Sequence, residues 1–136
     1  MEMEMEGERS GGTAAVALVA DMMFASRVRG TATAVGVEAV TVTRAEKLVE
    51  ETRRLRPRVV LIDIDARGVD VPALIARLKS DPETRSVPVI AFGSHVNADA
   101  LRAAREAGAD RVLARSAFVR DLPALLGAES SSTDAS

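Results

Sequence analysis

The sequence predicts an α/β protein with a doubly wound, five-stranded parallel sheet, and three observations lead there. Five short apolar runs recur, at 14–20, 38–42, 58–64, 87–92 and 111–114. They are continuous in Val, Ile, Leu and Ala instead of alternating, VVLIDI most clearly, as strands covered on both faces must be. The segments between them carry helical spacing, so the order is βαβαβαβαβα, which calls for right-handed crossovers and helices on both faces of one sheet.

Each helical segment has its own signals. Phe24, Val28, Thr31 and Val35 form an inward stripe ended by Gly36, where a left-handed cap is expected. The second segment opens with Thr43 and Glu46 in capping-box spacing and continues with Leu48, Val49 and Leu55. Asp70 is placed to cap a third helix with Leu74, Ile75 and Leu78 inward. Asn97 is placed to cap a fourth with Leu101 and Ala104 inward, closed by Gly108. A short last helix carries Phe118, Leu122, Leu125 and Leu126 on one face, with Pro123 expected in its first turn. Arg53, Arg54, Arg56 and Arg58 read as a solvated helix end complementing the macrodipole.

Composition narrows the function. The 136 residues suit one domain, folded from 13 to 126 between polar, Gly/Ser-rich segments at 1–12 and 127–136 that are expected to lack fixed structure. With 47% hydrophobic residues but no Trp or Tyr, the core should be aliphatic. A net charge of -2 gives no basic excess for nucleic acid or an anionic membrane. The absence of Cys removes disulfides, thiolate zinc sites and cysteine nucleophiles. No apolar run approaches the roughly 20 residues of a membrane span, and the acidic start is unlike a signal peptide, so a cytoplasmic location is expected. No dinucleotide, P-loop or zincin pattern occurs, and no catalytic triad spacing is recognisable, which argues against an enzyme.

In doubly wound sheets ligands bind at the carboxyl ends of the strands, near the switch point in strand order. Those ends hold Asp21, Asp63, Asp65, Gly93, Ser94, His95 and Arg115. An acidic residue ending a buried apolar strand is hard to explain by packing, because a buried charge needs a partner. Asp63 is therefore the first candidate, as a reactive carboxylate or as one paired structurally with Arg115. Asp21 equally fits the N-cap of the first helix.

VALVAD at the first run, PRVVLIDI at the third, VPVIAFGS at the fourth and AGADRVLARSAF across the fifth resemble the receiver domain of response regulators in two-component signalling. The resemblance implies a flavodoxin-like sheet of strand order 2-1-3-4-5, with Asp63 as phosphoacceptor. It implies Mg²⁺ held by Asp21, Asp63 and the backbone carbonyl of Asp65, bound weakly because Ala20 replaces one of two acidic residues. Arg115 stands where the family has Lys, and Ser116 where it has a cis-proline. Gly93 stands where it has the switch Ser/Thr, Ser94 being the nearest hydroxyl. Val112 stands where it has an aromatic switch residue.

His95 lies where family members influence water access to the phosphoryl group, although an exposed loop histidine is the plainer reading. The implied role is a stand-alone atypical receiver that binds another protein, a histidine kinase or downstream effector, or a second copy of itself, and is phosphorylated on Asp63. The alternative is a phosphorylation-independent pseudo-receiver closed by Arg115. A third reading, a small flavodoxin-like enzyme or cofactor carrier, lacks a phosphate-cradling loop after the first run and rests on fold analogy alone.

Overall fold

The five apolar runs become five parallel strands, each joined to the next by a helix. In chain order the elements are β1 (Thr13–Leu18), α1 (Met22–Ala34), β2 (Glu38–Val42), α2 (Ala45–Leu55), β3 (Val59–Asp63), α3 (Val71–Ser80), β4 (Val89–Gly93), α4 (Ala98–Glu106), β5 (Arg111–Ala114) and α5 (Arg115–Leu126). The structure, a computed structural model, describes residues 12–127. Apart from Gly12 and Gly127, the terminal segments expected to lack structure lie outside those residues. The sheet order is β2-β1-β3-β4-β5, as the resemblance implied, with every neighbour parallel.

Strand pleating divides the core in two. Val16, Leu18, Val60, Ile62 and Ala91 face α2, α3 and α4 through Leu48, Ile75, Leu78 and Ala104. Ala15, Ala17, Leu61, Ile90 and Phe92 face α1 and α5 through Val28, Ala32, Phe118, Leu122 and Leu126. Successive strand residues point to opposite faces, so a strand covered twice must be apolar at every position. This explains the unbroken runs. No helix among the described residues is long and apolar enough to cross a membrane.

Four local expectations are corrected. The inward stripe of α1 runs through Val28 and Ala32, while Val35 follows the helix and is exposed; Gly36 does take the left-handed conformation, at φ +82. The capping box at Thr43 does not form, because the helix starts one residue later with Arg44 as N-cap and no side-chain cap bond. Asn97 is the N-cap of α4, but it also makes no side-chain cap bond. Helix α5 begins directly after β5, so Pro123 lies in its last turns instead of its first. Buried Phe118, Leu122 and Leu126 hold the helix through the proline. Asp70 caps α3 as expected, its Oδ1 accepting from the Ala73 N–H at 3.1 Å. The basic residues ending α2 are spent in ion pairs, Arg53 with Asp81 and Arg54 with Glu51.

At the amino end of the sheet Asp110 joins two strands to a helix. Its Oδ2 accepts from the Lys79 ammonium at 2.9 Å and from the Val89 N–H at 2.7 Å. Burial pushes its pKa up, but the Lys79 and Val89 hydrogen bonds outweigh burial and hold it below the usual carboxylate value. A native pKa below the unfolded one stabilises the fold above the unfolded value, and this is lost as pH falls through the native value. Asp110→Asn is expected to lower the unfolding free energy by about 1 kcal/mol at neutral pH. In urea titrations across pH, its gap to the wild type should narrow below the ordinary Asp pKa of about 3.9. A gap that widens in acid would contradict this assignment.

Candidate functional site

The sheet order reverses between β1 and β3, since α1 carries the chain to one side of β1 and α2 returns it to the other. The crevice that results lies beyond the carboxyl ends of these two strands. Asp63, the last residue of β3, is set there at 2% exposure. Among the described residues it is the only charged side chain in the buried set, beside Thr13, Thr52 and Thr84. Its Oδ1 accepts from the Asp65 N–H at 2.9 Å and from Arg115 Nη2 at 3.2 Å, and its Oδ2 from the Ala20 N–H at 3.4 Å.

Arg115 is the first residue of α5, one position beyond β5, so its side chain crosses the crevice from the far strand. The same Nη2 that meets Asp63 also donates to Asp65 Oδ2 at 3.1 Å. The guanidinium lies over the rings of Phe24 and Phe92, at 5.2 and 5.5 Å from their centroids. Phe92 stacks on Phe118 at 3.9 Å, with Phe24 5.5 Å from Phe92. These are all three aromatic side chains of the protein. Arg115 is thus clamped between two carboxylates and two ring faces, an arrangement that suits a planar delocalised cation.

The other expected site residues are placed around this pair. Asp21 is the N-cap of α1, its Oδ1 accepting from the Phe24 N–H at 2.7 Å; Ala20, its neighbour, touches Asp63 through the backbone. Asp65 contributes its N–H and its carboxylate, whose Oδ1 accepts from Asn97 Nδ2 at 3.1 Å. Ser94 is not brought to Asp63: its Oγ accepts from the Val96 N–H at 3.3 Å inside the loop after β4. His95 is exposed in that loop. Ser94, His95, Arg115, Ser116 and Val119 line a cleft of about 620 Å³ beside the pair. Val112 is half-buried in the opposite core layer, against the α2–α4 side.

At Gly93 a side chain has no room, because an added Cβ would overlap Ile64 Cγ1 and Cδ1. Ile64, directly after Asp63, fills the space in which a hydroxyl on β4 would stand.

These residues fit a divalent cation poorly. Asp63 is engaged by three donors, one of them a guanidinium, and Asp21 is engaged as a helix cap. Among the described residues no three His, Cys, Asp or Glu side chains gather as a metal site. Magnesium demands near-octahedral oxygen ligands, and here a fixed positive charge already neutralises the carboxylate.

No protein-family model and no curated protein matches the sequence. Solved structures do match. The receiver domain of sensor histidine kinase PA1611 from Pseudomonas aeruginosa, crystallised with a magnesium ion coordinated in its active-site cleft, superposes with a TM-score of 0.70 at 18% identity, over 85% of this chain and 98% of that one. The receiver domain of NtrX from Brucella abortus gives 0.70 at 23% identity, over 85% and 94%. The signal receiver domain of a DNA-binding response regulator from Colwellia psychrerythraea gives 0.70 at 17%, over 85% and 98%. The chain has the receiver-domain fold.

Sequence reasoning named Asp63, Arg115, Asp65 and Asp21 but missed the Asp65 carboxylate, Asn97, Ile64 and the phenylalanine cluster. The aromatic trio was detectable in principle: two of its members stand at element termini by the crevice, and the protein has no other aromatic. Packing at Gly93 supplies a test. Gly93→Ser is expected to cost about 1–3 kcal/mol of stability by overpacking against Ile64. In an Ile64→Ala background the same substitution should cost little. Urea denaturation of the four proteins measures this, and additive costs would show that Ile64 is not what excludes a side chain there.

Proposed function

We propose that this protein is a signalling module of the receiver fold that works by binding another protein without phosphorylation, its acidic pocket held shut by Arg115. The observation carrying this reading is the single guanidinium nitrogen that bridges Asp63 and Asp65 while the same group rests on Phe24 and Phe92. Phosphorylating a carboxylate requires a free attacking oxygen and a cation to neutralise the incoming phosphate. In this pocket the cation is already spent on two carboxylates.

Transmission is also blocked. A phosphoryl group shifts a two-state element only through contacts that differ between the states. The hydroxyl that would make such a contact is replaced at Gly93 by the packed Ile64 side chain, and the aromatic that would answer on β5 is Val112. Any Mg²⁺ should therefore bind weakly and change little.

The partner is a protein, of the kind the fold suggests: a histidine kinase, a downstream effector or a second copy of this chain. The face of α4, β5 and α5 is our choice for its docking surface. The cleft beside Arg115 opens there, and Val96 in the adjoining loop is 80% exposed.

Acetyl phosphate with Mg²⁺, followed by intact-mass spectrometry, tests the closed pocket. The expected result is no appreciable mass addition, and amide chemical shifts at 94–120 that do not respond to beryllofluoride. Efficient modification that disappears in Asp63→Asn, with large shifts through those residues, would overturn the proposal and make Asp63 a working phosphoacceptor.

A further inference from the structure

Helix α4 rests on the core through few side chains, with Ala100 and Leu101 half-buried against it. It spans nine residues, and only Ala104 among them is buried. Its N-cap, Asn97, belongs to the residue class that normally accepts a hydrogen bond from the first helical turn. No such bond forms. The Asn97 side chain is turned the other way, its Nδ2 donating to Asp65 Oδ1 at 3.1 Å. The other oxygen of that carboxylate accepts from Arg115 Nη2 at 3.1 Å. The Asp65 N–H in turn donates to Asp63 at 2.9 Å.

We propose that the Asp65 carboxylate is a built-in anionic latch, tying the start of α4 to Arg115 at the start of α5 and fixing the position of α4 by an internal charge. Two loops and a helix start meet at this residue: its own loop after β3, the one after β4 through Asn97, and the start of α5 through Arg115. Oxygen acceptors on two sides of one planar group are what a bridge between two donors needs, and the ionised form strengthens both bonds. The side chain of Asp65 is 38% exposed, so the latch lies where a partner can reach it. A cation presented to Asp65 would compete with Asn97 and release the N-terminus of α4, which belongs to the face proposed above for docking. Asp65 is a positioning residue here, and the latch goes beyond the closed-pocket reading because it needs no statement about phosphorylation.

Amide hydrogen exchange on the full chain, without phosphodonor or added metal, tests it. Asp65→Ala and Asn97→Ala should each lower the protection of α4 amides, measured relative to β1 amides, by about threefold to tenfold. The double variant should lower it no further than either single one, because both remove the same bond. Asp65→Ala alone should also shift the Arg115 side-chain Nε resonance. Effects that add, α4 protection that changes by less than about twofold, or protection that falls equally in α4 and β1 would each overturn the latch. None of those outcomes bears on whether Asp63 accepts phosphate.

Discussion

A carboxylate at the end of a buried strand must be matched by a charge, and the structure around the crevice follows from that requirement. Asp63 closes a strand that is buried at all five residues, in the middle of a sheet covered on both faces. A charge there without a partner costs several kcal/mol. Arg115 reaches it from the far edge of the sheet, and everything that holds Arg115 in place then becomes part of the site. Phe24 and Phe92 present ring faces to the guanidinium, Phe118 supports Phe92, and Asp65 accepts a second hydrogen bond from the same nitrogen. Contacts with aromatic faces contribute about 0.5–2 kcal/mol each, which adds to the ion pair without replacing it.

This arrangement joins elements far apart in sequence. The Asp63 and Arg115 pair spans 52 residues, and the Asp65 and Asn97 contact 32. Because α1 and α5 bring the aromatic cluster to one face while α2, α3 and α4 pack on the other, the crevice is the place where both core layers end in polar groups. The result is a receiver fold in which one guanidinium is shared between two carboxylates of the crevice. Ile64 fills the space at Gly93, and Val112 sits in the core layer against α2, α3 and α4.

The fold was legible because its signals are local. Doubly covered strands require continuous apolar runs, and VVLID is buried at each residue as that pattern demands. Asp70 was readable as a cap since nothing competes for it, whereas the Thr43 box fails because the helix begins one residue later, at Ala45. Ala32 was overlooked in favour of Val35 because hydrophobicity outranks size in reading a stripe, while the helix ends at Ala34 and leaves Val35 exposed as its C-cap. At the site, residue identity at strand ends pointed to Asp63 and Arg115. The role of the Asp65 carboxylate was not legible, since it depends on how two loops, 32 residues apart, approach each other. Ile64 against Gly93 is likewise a matter of packing, which spacing along the chain does not encode.

The central claim is that the Asp63 and Arg115 pair is a structural requirement of this fold, and a double-mutant cycle by urea denaturation tests it most directly. Arg115→Met, which keeps the length of the side chain but removes its charge, should destabilise the protein by about 3–5 kcal/mol, the cost of stranding a buried carboxylate. Asp63→Asn should recover part of that loss when combined with it, giving a coupling of about 1–3 kcal/mol. An Arg115→Met variant within about 0.5 kcal/mol of the wild type, the effect of an ordinary surface substitution, with additive behaviour in the double variant, would contradict the account.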